Sequence, residues 1–301
     1  MLETNQGQVM MFAGKGGVGK TTCAGATAVH YASQGEKTLV ISTDPTPSLR
    51  HIFDIKDKQN PARVQDNLYL AELGIDEVKE MWNRKFGKEV YEVFSSLVSI
   101  GYEEFADFIT SILPGLSDEF MVDYIRELSQ QKKYQHIVWD TAPLGQTLGL
   151  LQMPAMLRQH LKPAPRIYSK LKLGQETKKP VLDIIRGWEK LSGEDIDFLR
   201  NGVRFNIVTI PETLAIAQLD GIFEEFTSYG FKAEQLVINN VIKEVGSSPF
   251  LKAKAEQQQE HIGLICRKYQ NMKIIELPLF PHEIQGIDKL REVEKRLFGG
   301  R

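Results

Sequence analysis

Residues 11–22 read MFAGKGGVGKTT, and this stretch decides the fold. The apolar run Val9–Ala13 leads into it with the length of a buried strand. The alanine-rich stretch Thr21–Gln34 follows and reads as a helix. Between them Gly14, Lys15, Gly16, Gly17, Val18, Gly19, Lys20 and Thr21 fit the spacing G-x-x-x-x-G-K-[ST], and Thr22 closes the candidate binding stretch. Glycines let successive N–H groups turn toward one anion, and the helix N-terminus adds its positive dipole end. Lys20 is placed to reach the outer phosphates of ATP, and the Thr21 hydroxyl to ligate Mg2+. One lysine suffices for that task. Lys15 therefore needs a second role, unless it is a solvated loop residue.

Outward from the loop, short apolar runs alternate with helical stretches. Lys37–Ser42, Leu68–Leu73, His136–Trp139, Phe205–Thr209, Leu236–Ile238 and Ile274–Leu277 read as strands. Leu214–Tyr229, Phe250–Tyr269 and Ile287–Phe298 read as helices. The alternation predicts an α/β fold of the P-loop NTPase kind, with a mainly parallel sheet flanked by helices. Two stretches interrupt it, at about 76–131 and 153–201. Both have helical spacing, and Pro163, Pro165 and Pro180 are expected to break the second. The reading is a single ATPase domain over 1–301, with the two insertions forming one helical subdomain.

Two acids stand at strand ends, where open α/β sheets bind their ligands. Asp44 follows the second strand in STDPTPSL and can orient or deprotonate water attacking a γ-phosphate. A turn or cap aspartate is the plainer alternative. Asp140 ends the HIVWD strand as a candidate Mg2+-holding acid, and Gly145 behind it permits close backbone approach to a phosphate.

The early lysine of GKGGVGKT makes the loop resemble the deviant phosphate loop of a group of dimeric ATPases. STDP at 42–45, DTAP at 140–143, LLQMP at 150–154 and ILPGLSDEF at 112–120 resemble the arsenite-pump ATPase and tail-anchored-protein targeting branch. That branch reads STDPAH and DTAPTGHT where this chain has STDPTP and DTAPLGQT. The resemblance implies a homodimer in which Lys20 serves its own ATP and Lys15 reaches the facing subunit's, with Asp44 at the water and Thr21, Asp44 and Asp140 around Mg2+. TIPET, LVINN and LPLFPHEIQG resemble the branch's base-binding segments. They imply nucleoside contacts by Glu212, adenine contacts by Asn239, and a loop of Pro278, Leu279 and Phe280 flanking the base.

The branch also implies a partner: a hydrophobic client helix, such as the tail of a tail-anchored membrane protein, and with it a membrane receptor. Val90–Leu113 spans 24 residues. As a helix it would be about 36 Å long, against about 30 Å for a membrane-spanning client. Phe94, Leu97, Ile100, Phe105, Phe108, Ile109, Ile112 and Leu113 would line such a groove, or else pack against Leu161, Ile184, Ile185 and Trp188. The zinc-binding CxxC pair of eukaryotic targeting factors is absent, so dimerisation is expected to depend on ATP. An arsenite or antimonite pump motor is the first alternative. A membrane-associating positioning ATPase is the second, because Ile287, Leu290, Val293, Leu297 and Phe298 form one stripe beside basic residues.

Composition sets the outer bounds. With 37 basic and 39 acidic residues, the formal charge of −2 gives no ground for nucleic-acid binding. Cys23 and Cys266 form no disulfide framework, which fits a reducing cytoplasm. The polar start MLETNQGQ does not read as a signal peptide, and no stretch has the length of a membrane span.

Overall fold

A computed structural model describes residues 8–44, 46, 48–74, 77, 80–81, 83–87, 91, 101–102, 116–142, 144–162 and 175–299. Eight strands form one sheet: β1 (Gln8–Gly14), β2 (Thr38–Ser42), β3 (Ala62–Gln65), β4 (Leu68–Glu72), β5 (His136–Asp140), β6 (Val203–Thr209), β7 (Ala233–Val241) and β8 (Lys273–Pro278). Their order is β3-β4-β2-β5-β1-β6-β7-β8, and all pairs are parallel except β3 with β4. Helices are α1 (Lys20–Ser33), α2 (Leu49–Ile52), α3 (Leu116–Gln130), α4 (Leu144–Leu161), α5 (Gln175–Asn201), α6 (Thr213–Tyr229), α7 (Pro249–Lys268) and α8 (Ile287–Phe298). Every residue of β2 and β5 is buried. This is why these central strands are continuous apolar runs rather than alternating ones.

The strand order reverses direction around β1. Its neighbours are β5 on one side and β6 on the other, while the chain itself runs from β1 to β2 beyond β5. A crevice at such a switch point, outside the carboxyl ends of the strands, is where this architecture binds ligands. The loop Gly14–Gly19 and the residues after β2 and β5 all emerge there.

The chain divides into two compact units. The first comprises Met1–Glu72, Ser129–Thr147 and Gly202–Arg301, and contains the whole sheet. One face is closed by α1 and α8. Leu290, Val293 and Leu297 of α8 are buried in the cluster that holds Ala24, Ala28, Val40 and Val138. His30 on α1 meets Glu294 at 2.6 Å and stacks on Phe298 with centroids 3.8 Å apart. The apolar stripe of the terminal helix is thus core packing. No helix among the described residues is long and apolar enough to cross a membrane.

The second unit comprises Leu73–Leu128 and Leu148–Asn201. Its described centre is a charge cluster. Arg126 donates to Asp195 at 2.5 Å, Asp123 at 2.6 Å and Glu194 at 2.9 Å, and Lys85 also reaches Asp123. Of the proposed groove only Tyr91, Gly101 and Tyr102 are described, and Gly115 and Pro114 of ILPGLSDEF also lie outside.

Three local expectations change. The short polar strand β3 at the sheet edge was not foreseen, because ARVQ after Pro61 has no apolar run. Helix α4 begins at Leu144, nine residues before the pattern suggested, and accommodates Pro154. Helix α5 runs through Pro180 without a break. That proline lies near its N-terminus, where the missing N–H removes one hydrogen bond to the first turn and leaves the rest intact.

Candidate functional site

The loop after β1 is shaped by close approach of backbone to backbone. A Cβ at Gly14 would lie 2.2 Å from the Val208 carbonyl oxygen of β6, so only glycine passes there. Gly19 sits at φ 98°, and a Cβ on it would lie 2.3 Å from the Asn239 amide. The left-handed backbone and the crowding both demand glycine immediately before α1. Val18 is buried, whereas Gly16 and Gly17 are exposed.

Lys20 opens α1 and is only 6% exposed. Its Nζ donates to the Lys15 carbonyl at 3.2 Å, so the ammonium lies folded over the loop. Burial lowers its pKa, and the charges of Asp140 and Asp44 oppose that shift. The lysine thus stands among carboxylates of one locus. Lys15 and Thr22 are half-buried. The Thr21 hydroxyl lies 3.3 Å from that of Ser48, at the start of α2. Ser48 was not singled out from the sequence, although it closes the STDPTPS run.

Asp140 is the focal acid. Register places it beside Phe12 of β1 and Ser42 of β2, at the carboxyl end of the sheet's centre. Its side chain is fully buried, and among the described residues neither carboxyl oxygen completes a hydrogen bond. Burial pushes its pKa up to about 7. The Thr21 hydroxyl and the Lys20 charge pull it back, and the Asp44 charge adds to the rise. The backbone around it is well fixed. Thr43 N donates to Asp140 O at 3.1 Å, Trp139 Nε1 to Thr43 Oγ1 at 3.0 Å, and Thr141 Oγ1 to Phe12 O at 2.8 Å. A buried carboxylate with free lone pairs is costly unless something else fills them. The oxygen donors of Asp140, Thr21 and Ser48 suit a hard cation such as Mg2+.

Asp44 is half-buried and held in a local turn. Its N–H donates to Ser42 Oγ at 3.1 Å, and Thr46 N–H donates to its Oδ1 at 2.9 Å. This fixes one carboxyl oxygen of a half-buried side chain. Thus Gly14–Thr22, Asp44 and Asp140 converge on one end of the sheet.

The candidate base-binding residues stand at the ends of the neighbouring strands. Asn239, 8% exposed near the end of β7, donates Nδ2 to the Val18 carbonyl at 2.9 Å. Its amide is therefore committed to the phosphate loop, a contact across 221 positions that sequence spacing could not show. Glu212 is exposed at the start of α6 and its side chain makes no cap hydrogen bond. Pro278 ends β8, Leu279 N–H donates to Val241 O at 2.8 Å, and the Leu279 side chain is 52% exposed. Phe280 is half-buried against the core.

Comparison with known proteins covers nearly the whole chain. A family model described as anion-transporting ATPase matches residues 7–299. A protein of Aquifex aeolicus (strain VF5), provisionally named arsenical pump-driving ATPase 2, is 30% identical over 300 residues, which is 96% of this chain and 99% of its own length. ATPase GET3A of Arabidopsis thaliana is 28% identical over 298 residues, 92% of this chain and 80% of that protein. ATPase ARSA2 of Chlamydomonas reinhardtii is 27% identical over 310 residues, again 92% of this chain and 80% of its own length.

Proposed function

This chain belongs to the anion-transporting ATPase family, and from that premise we propose an ATP-driven homodimeric targeting chaperone. It would hydrolyse ATP with Mg2+ and couple nucleotide state to capture and release of a hydrophobic helix, such as the tail of a tail-anchored membrane protein. ATP hydrolysis itself is the activity of the family.

The observation that supports the site assignment is the buried carboxyl of Asp140 beside Thr21 and Lys20, which has no ion pair or well-formed hydrogen bond among the described residues. Asp140 and the Thr21 hydroxyl would hold Mg2+, which would supply positive charge against the phosphates of ATP. The backbone N–H groups of Gly16–Thr21 cradle the phosphates, and Lys20 leaves the Lys15 carbonyl for the γ-phosphate. Asp44, fixed through Oδ1, accepts a proton from attacking water at Oδ2 or orients that water in line. Lys15 brings a cation from the facing subunit to the charge on the transferring phosphoryl group. Glu212, Asn239 and the loop Pro278–Phe280 surround the nucleoside.

The client rests on the resemblance of STDP, DTAP and the base-binding segments to the targeting branch, and on the likeness to ATPase GET3A. A pump-motor reading draws on the Aquifex aeolicus relative's name. The chemistry of Cys23 weighs against metalloid capture at that residue. The Cys23 thiol is fully buried and pushed up to about 12, while metals and metalloids bind the thiolate.

Asp44→Asn loaded with Mg-ATP separates the readings. A hydrolysis-arrested dimer that keeps a co-expressed tail-anchored helix in solution supports the chaperone. Wild-type ATPase activity that rises with arsenite or antimonite, with no retention of the helix, supports the pump motor instead.

A further inference from the structure

The short connection between β6 and α6 carries Glu212, one of the candidate nucleoside contacts. Glu212 N donates to Ile210 O at 2.8 Å, which closes a tight three-residue turn centred on Pro211. Glu212 itself is extended, at φ −127° and ψ 146°, and its carbonyl accepts from Ile216 N at 3.0 Å. Its main chain is thus committed to opening α6, while its side chain is exposed and makes no cap hydrogen bond. A glutamate left so free has several rotamers to lose when it meets a ligand. The main chain beneath it decides where that carboxylate can point.

What holds that main chain comes from α7. The imidazole of His261, half-buried there, spans the turn: Nδ1 lies 3.0 Å from Pro211 O and Nε2 lies 3.4 Å from Thr213 Oγ1. A carbonyl only accepts, so Nδ1 carries a proton, and Nε2 faces a hydroxyl that can donate to it. Pro211 is buried, and its carbonyl needs one donor in any case. The second contact, to Thr213, makes the ring a bridge across Glu212. The ring is itself fixed. Its neighbour Ile262 is buried, and Gln258, three positions earlier on the same side of the helix, is tied to the end of β7. Gln258 accepts from Ile242 N at 2.8 Å and donates to Asn240 O at 3.1 Å. Asn240 follows Asn239, and Val241 O accepts from Leu279 N at 2.8 Å. One face of α7 therefore holds the Asn239 strand and its base loop through Gln258, and the Glu212 turn through His261. Helix residues three apart are about 5–6 Å apart at Cβ, so the helix is a stiff spacer between the two.

We propose that His261 is a positioning residue for the nucleoside: by bridging Pro211 and Thr213 it aims the Glu212 carboxylate at the bound nucleoside. This rests on the reading of Glu212 as a nucleoside contact. An ionised carboxylate only accepts hydrogen bonds, and hydroxyl and amino groups are the donors a nucleoside offers it. The contact is remote from the transferring phosphoryl group, so it binds the ground state and the transition state alike. Its loss raises KM and spares kcat.

The test is steady-state ATP hydrolysis by the full-length protein, with inorganic triphosphate as a competing inhibitor that has phosphates but no nucleoside. His261→Phe keeps a ring and removes both nitrogens. It should raise the KM for ATP about five- to tenfold, with kcat and triphosphate inhibition nearly unchanged. His261→Asn returns an amide donor near the place of Nδ1 and should bring KM back to within about twofold of wild type. A parallel loss of triphosphate affinity or of kcat in His261→Phe would mean that the ring only supports the fold, and failure of asparagine to rescue overturns the bridge. Glu212→Ala tells the two readings apart. It should raise KM at least as much as His261→Phe, and adding His261→Phe to it should change KM by less than about twofold. Effects that multiply in the double variant reject the positioning role. If Glu212→Ala raises KM and His261→Phe does not, the nucleoside contact stands and the role of His261 is wrong. If Glu212→Ala leaves KM unchanged, the nucleoside contact is wrong and the role of His261 falls with it.

Discussion

Two fully buried aspartates, one in each unit, show opposite uses of the same cost. Asp140 lies at the centre of the sheet, and among the described residues neither carboxyl oxygen has a well-formed hydrogen bond, although the Thr21 hydroxyl is near enough to favour its charged form. Asp195 lies in the helical unit and takes Arg126 Nε at 2.5 Å through Oδ1. Burial raises the pKa of both, and the Arg126 charge opposes the rise at Asp195 where Lys20 and Thr21 oppose it at Asp140. The difference lies in who completes the site. The helical unit holds Oδ1 of its acid from its own chain, with a guanidinium that also serves Asp123 and Glu194, and leaves Oδ2 buried without a hydrogen bond among the described residues. The sheet unit leaves both oxygens of its acid without an ion-paired partner among the described residues. A buried acid paired with a guanidinium stabilises the fold, whereas one at a strand end with neither oxygen so paired is a candidate position for a ligand.

The sharpest way to break this contrast is Asp140→Asn. Loss of the acid should reduce ATP turnover by about 10³-fold or more, as expected when a group that holds transition-state charge is removed. The same change should stabilise the nucleotide-free protein. In the wild type the folded state keeps the Asp140 proton to about pH 7 and the unfolded state releases it near 4, so stability falls as pH rises between those values and stays low above. Asparagine removes that loss, worth about 2–4 kcal/mol at pH 8 and nothing below pH 4. Chemical unfolding at several pH values, with and without Mg-ATP, reads both effects. A variant that loses activity and stability together would mean Asp140 is structural like Asp195.

Arg126→Met is the converse change. It strands Asp123 and Asp195 in the interior without their cation, and should cost about 3–5 kcal/mol. Variants that keep Trp188 alone or Trp139 alone report the helical and the sheet unit separately by fluorescence. ATP affinity of the protein that remains folded should be close to wild type. A large loss of nucleotide binding would show that the helical cluster belongs to the site.

Asn239→Ala is intermediate. It removes the donor on the Val18 carbonyl and frees the loop that Gly19 must turn. Loss of one hydrogen bond predicts a drop in ATP affinity of about five- to tenfold, measured by calorimetry, with turnover at saturation nearly unchanged. An equal fall in turnover would place Asn239 in the chemistry rather than in loop support.

These residues were not equally legible in the sequence. Gly14–Thr21, Asp44 and Asp140 were readable because phosphate binding needs a local pattern: glycines, a lysine and a hydroxyl in eight positions, then acids at strand ends. The seven parallel strands followed from the apolar runs, but β3 did not, since an antiparallel edge strand needs few apolar residues. The link from Asn239 to Val18 and the cluster around Arg126 were hidden for another reason. Their partners lie 221 and 69 positions apart, and only the fold brings them together. The prolines misled at Pro180, because one lost hydrogen bond close to a helix end is a small penalty against the packing of α5.

The finest test of the contrast is Glu194→Gln. Glu194 accepts from Arg126 Nη1 at 2.9 Å, as good a distance as the buried pairs have. Yet its side chain is 44% exposed, against 4% for Asp123 and 0% for Asp195. Water screens the charge and replaces the lost bond, so the change should cost no more than about 0.5 kcal/mol and less in high salt. Lys190, 3.7 Å from the same carboxylate, is exposed and does not alter that expectation. A cost of several kcal/mol, insensitive to salt, would show that Arg126 depends on all three acids equally. The internal pairing that separates Asp195 from Asp140 would then be a property of the whole cluster, and burial alone would no longer rank its members.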